Sequence, residues 1–179
     1  SGSNKILKRM NRTYSKEHFI TLALKIREIL PNVGISTDII VGFPGESEDD
    51  FNETLNVMNE IKFDSAFNFK YSSRRGTKAS EYDDQIPENI KQDRLQRVIN
   101  LQKIHTLENN EKLVGGFEKV IVEKESKMSK NQWAGRIDSN KWVIFDKKDA
   151  KIGDLLPIQI IKAKGITLQG QLMQNLEAA

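Results

Sequence analysis

Apolar residues first recur at helical spacing, then run together, then recur again. Phe19, Leu22, Ala23, Ile26, Ile29 and Leu30 fall mostly three or four positions apart and predict a helix that Pro31-Asn32 ends. Around Ile35–Val41 the period disappears. Ile39, Ile40 and Val41 are consecutive apolar β-formers, which suits a parallel strand covered on both faces. A second helical stripe, Phe51, Leu55, Met58 and Ile61, starts after Ser47, with Asp50 three residues on in a capping-box-like arrangement. Glu48, Asp49 and Asp50 occupy its first turn, where the helix dipole favours negative charge. Phe67 and Phe69 then alternate with polar neighbours in a strand predicted over Ser65–Tyr71. The order helix, strand, helix, strand predicts an α/β fold of βα units with a parallel sheet.

A polar connection, Ser72–Pro87, follows, long enough to be expected to carry function. A helix is predicted from about Pro87 to Lys112, with Leu95, Val98, Leu101 and Ile104 on one side. Gly115-Gly116 breaks it and marks a domain boundary, giving domains over 1–113 and 114–179. The second is β-rich, with runs at Val120–Val122, Trp142–Phe145, Leu156–Ile161 and Leu168–Leu172. Roughly five short strands in about sixty residues predict a small OB-like barrel. Two or three βα units are too few to close an α/β barrel, and no strand precedes the first helix. Residues 1–113 therefore read as the back half of a larger barrel, its other strands lying upstream or in a partner chain. Unpaired strand edges in such a half predict marginal stability or aggregation in isolation.

Charge sharpens this division. The 28 basic and 25 acidic side chains leave a net charge of +3, and the whole excess lies in residues 114–179. Any nucleic-acid footprint is expected there. The chain has no cysteine, so neither a disulfide nor a Cys-ligated metal can form within it. His18 and His105 lie far apart, both in helical patterns, and are expected on helix surfaces. No apolar stretch approaches the roughly 20 residues that span a bilayer, and the N-terminus lacks a signal-peptide pattern, so a cytoplasmic location is expected.

Three segments are candidates for chemistry. The strand ending in Val41 leads into Gly42-Phe43-Pro44-Gly45-Glu46, a turn where absent side chains would let a ligand approach the backbone; a plain βα turn is the alternative. Arg9 and Arg12 precede the helix of Phe19, and Arg74-Arg75-Gly76-Thr77 follows the Tyr71 strand on the same predicted face. Either pair could take a carboxylate or phosphate, or lie as an ordinary basic turn. Lys124, Lys127, Lys130 and Arg136 bracket Trp133, the combination that neutralises phosphates and stacks a base; alternatively Trp133 is core and the cations are plain surface. Asp38, Glu46, Asp83 and Asp84 have no visible nucleophile or metal partner, so the chain shows no self-sufficient catalytic set.

Together these segments resemble the radical-SAM methylthiotransferases. The likeness rests on Ser1-Gly2-Ser3 with Ile6–Tyr14, on Thr37–Glu46, on Tyr71–Ala79, and on Gly135-Arg136 with Asn140, the last matching the family's TRAM domain. It covers almost the whole chain and makes Ser-Gly-Ser integral to the sequence. The resemblance implies the second half of a radical-SAM barrel followed by a TRAM domain. It also implies S-adenosylmethionine and two 4Fe-4S clusters, with a radical that abstracts hydrogen from C2 of an adenine next to the anticodon. A second S-adenosylmethionine would supply the methyl group, and the sulfur donor stays open. The form of Tyr71–Ala79 leans to the tRNA-modifying branches, and Asn11–Tyr14 with Phe67–Lys70 to the one acting on N(6)-dimethylallyladenosine. The ribosomal-protein aspartate and threonylcarbamoyladenosine branches, and a non-catalytic RNA-binding module, are the alternatives.

Residue by residue, the resemblance implies that Arg12 with Val41, Gly42, Phe43, Pro44, Gly45 and Glu46 contributes to the S-adenosylmethionine pocket. Arg74, Arg75, Gly76 and Thr77 would wall the substrate mouth, and Lys124, Lys127, Lys130, Trp133 and Arg136 would grip a tRNA anticodon stem-loop. No membrane partner is implied and a monomer is expected. Without cysteine the chain holds neither cluster, and is expected to be inactive alone.

Overall fold

Ser47 sets the frame of the α/β part. Its hydroxyl accepts from the Asp50 amide while the Asp50 carboxylate accepts from the Ser47 amide, a complete capping box that starts α3, Glu48–Ile61. The computed structural model describes residues 1–172. Before α3 come α1 (Asn4–Arg9), α2 (Lys16–Ile29) and β1 (Ser36–Val41); after it come β2 (Ser65–Lys70), a 3-10 turn at Lys78–Glu81 and α4 (Glu88–Glu111). The helix α1 is new relative to the sequence pattern, which is too short there to show a period. Its Ser3 N-cap accepts from the Ile6 amide. Gly2 is buried against α3, where a Cβ would fall 2.6 Å from the Thr54 Cα, and its amide donates to the Thr54 hydroxyl at 2.9 Å. Ser-Gly-Ser is thus packed structure.

β1 and β2 pair in parallel, Ser36 opposite Ser65 through Val41 opposite Lys70, with α3 as the crossover. Ile39 and Val41 face a core shared with Phe51, Val57, Met58, Ile61, Phe63, Ala23 and Val98. The opposite face is open: Phe67 is 64% and Phe69 51% exposed, so their alternation with polar residues marks a face without cover among the described residues. On α2 only Ala23 of the predicted stripe is fully buried, and Leu22, Ile29 and Leu30 are exposed.

The polar α4 is held by side-chain bonds as well as by Val98. Gln102 donates to the Phe63 carbonyl at 2.8 Å, and His105 lies buried with Nε2 3.1 Å from Asn59. This corrects the expectation that His105 is a surface residue: an imidazole with a polar partner is stable in a position that an unpaired one would not occupy. His18 is exposed.

The β-rich part closes as a barrel in the order β3 (Phe117–Glu125), β4 (Gln132–Arg136), β5 (Trp142–Asp146), β7 (Thr167–Leu172), β6 (Leu155–Lys164), with β6 returning to β3. All pairs are antiparallel except β5 with β7. The mixed α/β class with an OB-like barrel is as expected. The strand that hydropathy hides is β4, whose centre is Ala134-Gly135. Gly135 has no room for a side chain: a Cβ would overlap the Ile121 carbonyl and come within 2.5 Å of Val120 Cγ1. Val120, Val122, Val143, Phe145, Ile158, Ile160 and Leu168 fill the interior. Among the described residues, 1–31 with 35–105 form one compact unit, and 32–34 with 106–172 another.

Candidate functional site

A cavity of about 920 Å³ opens where β1 and β2 end. Carboxyl ends of parallel strands are where α/β folds place ligands, because side chains there need not pack against the next element. Phe43, just past β1, and Tyr71, just past β2, meet edge to face with ring centroids 5.1 Å apart. Tyr82, from the connection to α4, lies edge-on to Phe43 at 6.4 Å and carries the Arg9 guanidinium 4.6 Å above its ring. Asp84 holds Arg9 at 2.7 Å. Ile40 and Phe69 add apolar surface from the open sheet face.

Cations line the same cavity. Lys8, Arg12, Lys70, Arg74 and Lys78 all line the cavity with Arg9. Lys70 is neutralised by Glu88. Among the described residues Lys8, Arg12, Arg74 and Lys78 form no ion pair, so their charge is available to a ligand. Rings and unpaired cations lining one cavity suit a flat heterocycle with an anionic group, through stacking and charge-assisted hydrogen bonds. That fits the aromatic and carboxylate ends of S-adenosylmethionine. An iron–sulfur cluster does not fit this chain, which has no cysteine to offer a thiolate.

The sequence-predicted residues divide sharply. Arg12, Phe43, Arg74 and Thr77 line the cavity; Val41, Gly42, Pro44, Gly45, Glu46, Arg75 and Gly76 do not. Val41 points into the core. The glycines serve the turn itself. Gly42 has φ +70 and its Cβ position is filled by Lys91, while Gly45 has φ +79 and is covered by Asp84 and Arg9. Both φ values lie where only glycine is free of strain. Glu46, fully buried, closes the turn: its Oε2 accepts from the Gly42 amide at 2.6 Å and from Arg94 Nη1 at 2.9 Å. Arg94 Nη1 also reaches the Glu46 carbonyl at 2.9 Å. Burial raises the Glu46 carboxyl above its ordinary range, against the pull of the Gly42 amide and Arg94. Arg75 and Gly76 sit exposed at the tip of the connection, with Gly76 in open space.

Behind the turn, Asp50 ties α1 to α3. Lys5 Nζ lies 2.7 Å from its Oδ2 and the Ser3 hydroxyl donates to Oδ1 at 2.7 Å. Burial alone would raise this carboxyl, but Lys5, Ser3 and Ser47 together hold it well below its ordinary value of 3.8. Sequence reasoning missed Tyr82 and the role of α1, since one tyrosine in an acidic loop carries no periodic signal. Lys78 and Ala79 were within reach, being part of the Tyr71–Ala79 motif.

On the barrel, Trp133 is fastened: its Nε1 donates to the Ala150 carbonyl at 2.9 Å and its ring packs against the barrel core. Lys147 lies 4.1 Å over that ring and pairs with Glu125. Lys124 and Arg136 gather instead at Trp142, each 4.2 Å from its ring centroid. Lys127 and Lys130 are exposed in the connection between β3 and β4. Trp142 and Lys147 were not predicted as site residues, although Trp142 opens a recognised β-run.

Two family models match separate stretches of the chain. Residues 1–58 match the Radical SAM superfamily and residues 111–173 match the TRAM domain. The tRNA-2-methylthio-N(6)-dimethylallyladenosine synthase of Clostridium tetani is 46% identical over 171 residues, 96% of this chain and 38% of that protein. The synthases of the same name from Carboxydothermus hydrogenoformans and Desulforamulus reducens are each 43% identical, over 97% and 98% of this chain and 39% and 38% of their own lengths. The chain thus spans about two fifths of the length of the curated relatives it matches. No helix among the described residues is long and apolar enough to cross a membrane. The chain thus carries a radical SAM segment and a TRAM domain, and is similar along nearly its whole length to part of these synthases.

Proposed function

We propose that this chain is the C-terminal part of a tRNA methylthiotransferase that adds a methylthio group to C2 of N(6)-dimethylallyladenosine next to the anticodon. The observation that carries the reading is the cavity at the ends of β1 and β2, lined by both aromatic rings and cationic side chains. S-adenosylmethionine bound there would supply the radical and methyl chemistry. Arg12 would hold its carboxylate, and Phe43 would offer a ring edge to its adenine. Val41, Gly42, Pro44, Gly45 and Glu46 act from behind, by keeping the turn that presents Phe43. Arg74, with Arg75, Gly76 and Thr77 in the same connection, would meet the incoming RNA, whose phosphates pair with guanidinium groups.

The two clusters would be held by residues outside this chain, so the chain alone would not turn over. The TRAM part, taken from residue 114, would grip the anticodon stem-loop through Lys124, Lys127, Lys130 and Arg136, with Trp133 bracing that side of the barrel. We take the protein to be a cytoplasmic monomer. The test is nucleoside mass spectrometry of bulk tRNA from cells lacking the full-length gene. Loss of 2-methylthio-N(6)-dimethylallyladenosine with build-up of its unthiolated precursor is the expected result. Persistence of every methylthio nucleoside in tRNA would overturn the reading and favour the ribosomal-protein branch or a binding module without chemistry.

A further inference from the structure

Two indoles lie on the barrel, and their surroundings differ in kind. The Trp133 ring is packed on the core and its N–H is consumed by the Ala150 carbonyl. Trp142 is outside the core cluster, half-buried at the start of β5, and among the described residues its N–H makes no hydrogen bond. Directly across the ladder stands Arg136, and Lys124 reaches the same ring from β3. Arg136 is anchored by Asn140 and lies 3.4 Å from Glu123. Lys124 has no such tie: the Trp142 ring is its only polar or charge contact among the described residues.

This rests on the RNA-binding reading above. We propose that Trp142, and not Trp133, is the base-stacking platform of this barrel, with Lys124 as its movable cover. In the free protein the Lys124 ammonium rests on the π-face of Trp142, a weak contact at a solvent-facing site. An unpaired base of bound RNA displaces it and stacks on the indole, and the ammonium, still tethered beside the ring, swings to a neighbouring phosphate. The exchange is favourable because a base–indole stack with a phosphate contact outweighs one exposed cation–π pair. Arg136, fixed by Asn140, keeps the ring oriented throughout. The local charge agrees, since the chain's basic excess lies in this part. Lys127 and Lys130 add free cations in the next connection.

The experiment titrates the full chain with an RNA hairpin bearing an adenosine-rich loop, and with the blunt duplex of its stem. Indole emission and affinity are both followed. The hairpin is expected to quench indole emission on binding and the duplex to leave it unchanged. Trp142→Ala should lose about 5- to 150-fold in hairpin affinity, the range for one stacked base. Trp142→Phe keeps a ring, so its affinity should stay within about threefold of the parent while the quench disappears. Lys124→Ala should lower the slope of log affinity against log salt by about 1, as one phosphate contact is lost. The quench and the Phe variant decide the matter even where Trp142→Ala folds poorly. Hairpin binding with the quench intact in Trp142→Phe would overturn the proposal and assign the stack to Trp133. A parent chain that binds no hairpin would overturn the RNA-binding reading itself.

Discussion

Two carboxylates four positions apart show how much one side chain's surroundings decide. Glu46 is a buried acid joining a strand-end turn to α4, through the Gly42 amide and Arg94. Glu46→Ala would remove the buried partner of the Arg94 guanidinium and leave it only Glu48 at 3.4 Å, and such losses cost up to about 3–5 kcal/mol. Urea unfolding of the variant should show a destabilisation up to that size, with Glu46→Gln smaller because its amide oxygen still accepts from the Gly42 amide and Arg94 although the charge is lost. Asp50 behaves oppositely, its carboxyl held low by Lys5, Ser3 and Ser47. A depressed carboxyl stabilises the fold above its unfolded value, and that contribution is lost as pH falls through the folded one. Stability should therefore decline as pH drops below the ordinary 3.8 of an aspartate, and Asp50→Asn should flatten that acid limb in melts taken across pH. From sequence, Asp50 was legible as a cap because a capping box is local. Its bonds to Ser3 and Lys5 were not, because those partners lie more than forty residues away.

At the level of elements, strongly periodic segments were readable and crowded ones were not. The helices over Lys16–Ile29 and Glu48–Ile61 and both parallel strands follow from apolar spacing and the Ser47 box. The strand β4 was invisible because the feature that makes it fit, a glycine pressed against Ile121 and Val120, removes the hydropathy that would announce it. Gly135→Ala should destabilise the barrel by roughly 1–3 kcal/mol, the usual cost of forcing a methyl group into packed space. Loss of near-ultraviolet signal at lower temperature than in the parent would report it, and an unchanged melt would contradict the steric account. Lys62 closes α3 in the left-handed conformation, φ 51, and Arg27 supports that end by donating to the Lys62 carbonyl at 2.9 Å. Neither feature has a period, so neither was anticipated.

At the scale of the molecule, two cores form among the described residues, one under the β1–β2 sheet and one inside the barrel. Their existence could be read from composition and order alone: alternating helix and strand before the Gly-Gly break, short strands after it. The open face bearing Phe67 and Phe69 matches the expectation of a partial barrel, and gives a physical reason for the predicted marginal stability in isolation. Of the residues on the family motifs, only some reach the cavity. Phe43 does, while Val41 and Gly42 beside it build the wall behind. The amino-acid order was enough to establish the α/β class with a small barrel, the strongly periodic helices and the parallel strands, and that no cysteine ligand for a cluster lies within the chain. Those properties depend on neighbours along the chain and on composition. Tertiary packing decided which guanidinium meets which carboxylate, why each glycine is required, and which indole stands free with a cation on its face. Such choices depend on distances between residues that the chain order leaves far apart.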